Sequence, residues 1–235
     1  MRMGCLAQVL QHLGRLPEAE QLARQALAGQ RRVLGNDHHR DTLISMEAVA
    51  EVLKAQGKNS EAVLLFRECL EVSRRTLGPQ RPGTLASLST LATLFCEEGK
   101  LAEAEALYCE ALGISRRIHG SMHASTLMTI SNLGACLRSQ GQLAAAEPLL
   151  QAAVDGSLAS LGEQHPSTLN SIKQLAILHR KQGCHSVAEA GLRRALAGQR
   201  SLLGRQHAST LGTQGWLEVV LCDQAPAAHD HETLP

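Results

Sequence analysis

Only four aromatic residues occur among 235: Phe66, Phe95, Tyr108 and Trp216. A core of stacked rings is excluded, so the interior must be built from Leu, Ala, Ile and Val. Charge of one sign is missing too. The 23 Lys and Arg and 22 Asp and Glu leave a formal net charge of +1. No global field steers such a chain to nucleic acid or to an acidic membrane, and no basic run alternates with aromatics. No apolar run is long enough to span a bilayer, and the opening "MRMGCLAQVLQHLG" lacks the apolar core of a signal peptide. The seven cysteines are scattered and never form C-x-x-C. That argues against a disulfide framework or a zinc site, and for reduced thiols in a cytoplasmic protein. The signatures G-x-x-x-x-G-K-[ST], G-x-G-x-x-G and H-E-x-x-H are absent. Neither catalysis nor a cofactor is expected.

What the sequence does have is a repeat. "HASTL" stands at 123–127 and again at 207–211, with "HPSTL" at 165–169 between them. Upstream lie "RPGTL" at 81–85 and "HRDTL" at 39–43. The threonines fall at 42, 84, 126, 168 and 210, a period of 42. Glycine recurs at 57, 99, 141 and 183, and alanine at 62, 104, 146 and 188. Gly14 and Ala19 are one residue out of step, because "LGNDHHRDTL" carries an extra residue. A fixed period of this length signals stacked repeat units.

Each unit carries two helical patterns. With Leu85 as position 1, apolar or small residues fill positions 1, 4, 7, 8 and 11: Leu85, Leu88, Leu91, Ala92 and Phe95. The next unit repeats this with Leu127, Ile130, Leu133, Gly134 and Leu137. That spacing is one stripe of an amphipathic helix. Gly99 follows, suited to the left-handed residue after a helix end. A second stripe runs through Leu101, Ala104, Leu107, Tyr108, Ala111 and Leu112 and ends at Arg116 and Arg117, which suit the negative end of a helix dipole. Each unit therefore reads as helix A, a turn, helix B and a loop. The polar cluster before each Thr-Leu is expected to supply capping oxygens to helix A, and Pro166 fits a first helical turn. A histidine, serine and threonine repeated five times is poor material for a catalytic site. One histidine per helix layer, about 10 Å from the next, cannot share a metal.

At these residues the sequence resembles tetratricopeptide-repeat proteins of the 42-residue, kinesin-light-chain-like kind. "LGEQHPSTLNSIKQLAILHRKQG" (161–183) and "EEGKLAEAEALYCEALGISRRIHG" (97–120) carry the likeness. HEAT and armadillo repeats have a similar length but lack this Leu-Ala, Gly, Ala, Tyr, Ala-Leu spacing. The resemblance implies an all-α fold, a right-handed solenoid of stacked antiparallel helix pairs. Helix A lines its concave face, and peptides or proteins bind there without catalysis. One helix pair cannot bury its stripe alone, so neighbours stack. The expected layout is an array over residues 1–223 and a flexible tail over 224–235. The array holds a partial first repeat, four full repeats and a last unpaired helix with Glu218 where others have Ala or Gly. The partial start points to a longer parent array or a truncated gene product. His229, Asp230 and His231 in the tail are read as polar rather than metal-binding.

In this family, positions 2, 5, 9 and 12 of helix A line the groove. They are Ile44, Glu47, Glu51 and Lys54, then Ala86, Ser89, Thr93 and Cys96. They continue as Met128, Ser131, Ala135 and Arg138, then Asn170, Lys173, Ile177 and Arg180, with Glu97 and Lys181 at position 13. Family members often hold a peptide backbone with asparagines at positions 5 and 6; here only Asn132 remains, with Gln174 a substitute. Carboxylates sit toward the N-terminal half, while Arg138, Lys173, Arg180 and Lys181 crowd the C-terminal half. The expected partner is a protein or peptide with acidic residues. Two other readings stand beside it: a spacer or self-association segment, and the regulatory array of an enzyme whose catalytic domain lies upstream. Trp216 is read as a binding hot spot or a packing cap.

Overall fold

The computed structural model describes residues 6, 7, 9–11, 13–34, 40–76, 78 and 82–224. The expected tail lies outside the described residues apart from Gln224, as do His39 and Arg81 of two repeat motifs. Beyond a short helical piece within 6–11, the helices are α1 (Leu16–Leu34), α2 (Arg40–Ala55), α3 (Asn59–Thr76), α4 (Pro82–Glu97) and α5 (Leu101–His119). There follow α6 (Ala124–Ser139), α7 (Leu143–Leu161), α8 (Pro166–Lys181), α9 (His185–Leu203) and α10 (Ala208–Gln224). No strand occurs among the described residues.

The chain forms two compact units, Met1–Ser121 and Met122–Pro235. In the first, each of α1 to α5 packs on the next. In the second, α6 packs on α7, α7 on α8, α8 on α9 and α9 on α10, and α6, α8 and α10 also touch in succession. The even-numbered helices α2 to α10 are the A helices of the repeat, and the odd-numbered α3 to α9 are the B helices.

Packing explains the recurring residues. Ala19, Ala62, Ala104, Ala146 and Ala188 are all fully buried. They sit where two helices approach too closely for a longer side chain. Gly134 shows how close: a Cβ there would lie 2.7 Å from Leu150 Cγ. The stripe residues Leu127, Ile130, Leu133 and Leu137 are buried too. A fully buried leucine such as Leu150 or Leu192 contributes about 1.5–3 kcal/mol. Cys69 is buried, as are its repeat equivalents Ala111, Ala153 and Ala195, and acts as a small packing residue.

The turns between helices follow from backbone geometry. Gly141 takes φ +83°. Its amide donates to Arg138 O at 3.1 Å, and the Gln142 amide reaches Leu137 O at 2.9 Å. These bonds satisfy carbonyls that the end of α6 would otherwise leave open.

The starts of the A helices differ from expectation. The capping acceptor is a ring nitrogen, not a hydroxyl oxygen. His123 Nδ1 accepts from the Ser125 amide at 3.2 Å, His165 Nδ1 from Ser167 at 3.1 Å and His207 Nδ1 from Ser209 at 3.2 Å. An accepting Nδ1 places the ring proton on Nε2. The threonines turn inward instead. Thr168 Oγ1 donates to Gly162 O at 2.8 Å, and Thr84 Oγ1 to Gly78 O at 3.1 Å. These two buried threonines thereby fasten the starts of α4 and α8 to the loops before them. "HxSTL" is punctuation in the fold.

Candidate interaction surface on the A helices

Each unit presents its own set of the A-helix positions singled out in the sequence. In the N-terminal unit, Glu47 and Glu51 stand one turn apart on α2, both half-buried. Ser87 Oγ of α4 donates to Glu47 Oε1 at 2.9 Å. Burial pushes the Glu47 carboxyl up from its ordinary value, and the charge of Glu51 adds to this. Lys54 lies half-buried at the end of α2. Ser89 is half-buried, while the Thr93 hydroxyl is engaged by Tyr108 Oη of α5 at 2.9 Å. This surface is acidic, and no cation pairs with Glu47 or Glu51 among the described residues.

The C-terminal unit has the opposite character. Arg138 of α6 is only 9% exposed. Its Nη1 donates to the Gln174 carbonyl at 2.9 Å and to Gln174 Oε1 at 3.0 Å, tying α6 to α8. Burial pulls this guanidinium down to about 10, so it remains charged at neutral pH. Lys173 is half-buried nearby, and its ammonium is pulled below the ordinary lysine value by burial first and by the charge of Arg138 second. No carboxylate pairs with either cation among the described residues. Ser131 is fully buried, and its Oγ has no hydrogen-bond partner. Asn132 is half-buried and Lys181 exposed.

Arg180, seven residues beyond Lys173, is already engaged. Its Nε donates to Asp223 Oδ2 of α10 at 2.6 Å. The same oxygen lies 3.8 Å from His185 Nδ1 at the start of α9. The Arg180 guanidinium also lies over the Trp216 ring, 5.8 Å from its centre. Trp216 packs against Ala176, Ala188, Leu192, Leu196, Leu217 and Val220, so the ring caps a core. The sequence reading missed Asp223 and His185. Asp223 stands at position 13 of its helix, where Lys181 stands one repeat earlier. That alternation was visible in the sequence: position 12 carries Arg138 and then Arg180, and position 13 of the following helix carries Lys181 and then Asp223. Arg180 meets an acid, whereas Arg138 has a lysine at the corresponding place and turns to Gln174.

The family profile of the tetratricopeptide repeat matches residues 2–75, 41–117 and 124–201. The chain belongs to the tetratricopeptide-repeat family. No curated protein matches its sequence. Among solved structures it is similar to two forms of the nearly identical TPR-like repeats of a Podosopora anserina kinesin light chain. One shares 29% identity at TM-score 0.74, covering 85% of this chain and 94% of that one. It also resembles BtubC (BKLC) of P. vanneervenii, at 22% identity and TM-score 0.73, covering 86% of this chain and 80% of that one. That second likeness speaks for the fold alone. The tetratricopeptide repeats here are thus of the kinesin-light-chain-like type, and the fold class is an all-α solenoid of stacked helix pairs. Such repeats are typically non-catalytic, and the chain is a protein-interaction scaffold in that general sense. No described helix is long and apolar enough to cross a membrane. No cluster of three or more His, Cys, Asp or Glu that could hold a metal occurs among the described residues.

Proposed function

We propose that this protein is a cytoplasmic adaptor that captures an acidic segment of a partner protein on the A-helix face of its C-terminal unit. The observation that carries this reading is the Arg138 and Lys173 pair. Both cations are partly withdrawn from water, the charge of Arg138 adds to what burial does to Lys173, and no carboxylate is supplied by the described residues. Charges held this way are costly unless compensated. A ligand carboxylate would relieve the like-charge repulsion and return the Lys173 ammonium toward its ordinary value. Asn132 lies on the same helix as Arg138, and Gln174 beside Lys173. Both offer amides to a ligand backbone.

Lys173→Glu is the sharpest test. A double change that included Arg180 would set a new carboxylate against Asp223 and disturb α10 as well. Wild type and Lys173→Glu, shown equally helical by circular dichroism, would be used to recover partners from a matched lysate. The reading expects acidic-segment proteins to be lost from the variant. The same partners on both would remove it.

A further inference from the structure

The geometry points to Asp223 as a built-in competitor: the carboxylate of α10 occupies the third cation of the basic face and must leave before a longer acidic ligand can use it. The inference rests on the acidic-ligand reading above and adds what regulates access to it. Lys173 and Arg180 stand at positions 5 and 12 of α8, on one face of the helix. Seven residues of helix separate them by about 10.5 Å. An extended segment covers that distance in about three residues. One acidic peptide could therefore reach both cations, and Arg138 beside the first.

Asp223 blocks the far end of that row. Its Oδ2 receives the Arg180 Nε hydrogen at 2.6 Å, so one edge of the guanidinium is already committed to a carboxylate. The contact is well placed to persist yet able to break. Side-chain exposures of 26% for Arg180 and 31% for Asp223 leave both reachable from solvent. His185, with Nδ1 3.8 Å from the same oxygen, stands ready to keep Asp223 in place, and this nitrogen has no hydrogen-bond partner of its own. Trp216 supports the guanidinium from its ring face, so Arg180 stays in position when the carboxylate leaves. Removing Asp223 would add Arg180 to the cations that no carboxylate pairs, without moving the platform that holds it.

The test uses the full chain and a fluorescein-labelled octaglutamate peptide, followed by anisotropy at low and physiological salt. Asp223→Asn keeps shape and removes the charge; it is expected to bind the peptide about tenfold more tightly than wild type. Asp223→Glu restores a carboxylate and is expected to bind like wild type. The near-UV signal of the lone tryptophan, Trp216, confirms that α10 remains docked in both variants. Equal affinity of wild type and Asp223→Asn would overturn the competitor role while leaving the acidic-ligand reading intact. Binding to neither would overturn both. Tighter binding to Asp223→Asn that Lys173→Glu does not weaken would show a ligand held by Arg180 alone, and would overturn the three-cation row.

Discussion

The two units share one repeat frame and differ in what they do with charge. In the N-terminal unit, ion pairs join α1 to α3 and the turn before it, and α3 to α5: Arg24 with Glu61, Lys58 with Glu20, Arg31 with Glu68 and Arg74 with Glu110. Its A helices carry Glu47 and Glu51. In the C-terminal unit, α7 is nearly without charge, its only ionisable side chains being Glu147 and Asp155, and the A helices α6 and α8 carry the cations Arg138, Lys173, Arg180 and Lys181. Exposed pairs of the first kind contribute roughly 0–1 kcal/mol each. The outer pairs are therefore a finish on the fold rather than its cause. Small residues and leucine stripes hold both units, and the positions outside them are free to set the character of each surface.

That comparison can be broken at several points. The largest effect is expected from Ala104→Arg in the N-terminal unit. Ala104 is fully buried between α4 and α5, so the variant should lose more than the 1–3 kcal/mol typical of modest overpacking and unfold that unit in urea. Leu133→Ala in the C-terminal unit should cost about 2–5 kcal/mol by leaving a cavity under α6. Near-native midpoints for both would refute the repeat register. Replacing His165 by alanine should cost about 0.5–2 kcal/mol through the lost cap on α8, and His165→Asn should recover most of it. Thermal melts of the three forms decide this. The smallest effect is a gain. A Cβ at Gly212 meets nothing within 4 Å, so Gly212→Ala should stabilise α10 by about 1 kcal/mol.

Acid offers another contrast. The Lys58 hydrogen bond is the largest cause holding the Glu20 carboxyl down at about 2, from an ordinary value near 4.5. A depressed carboxyl contributes stability above its unfolded value and loses it as pH falls through the folded one. The N-terminal unit should therefore lose stability between about pH 4.5 and pH 2, and Glu20→Gln should flatten that part of the curve. A curve unchanged by this substitution would mean that solvent screens the pair.

Much of the frame was legible because close packing admits few residues. Alanine at a helix crossing and glycine after a helix end are demanded by space and backbone angle, so they recur at a period of 42. The caps were legible only in place. Sequence spacing marks where α6 and α8 begin, but not which atom of the "HxST" group faces the open amide. The imidazole reaches it, and the threonine is drawn inward to the loop carbonyl. Glu218, standing where others have Ala or Gly, is exposed on α10. His179, at position 11 where neighbouring units have Leu53, Phe95 and Leu137, is half-buried. The state of each groove cation was harder to see. It depends on a neighbour one repeat away at a different position: Gln174 at position 6 for Arg138, and Asp223 at position 13 for Arg180. A readout of one helix face does not contain these diagonal contacts.

The most direct measurement is hydrogen–deuterium exchange of the full chain with and without octaglutamate. It compares the two units in one experiment. The account predicts added protection in 124–139 and 166–181, with none in 40–55 or 82–97. Protection centred on α2 and α4, or none anywhere at saturating peptide, would contradict it.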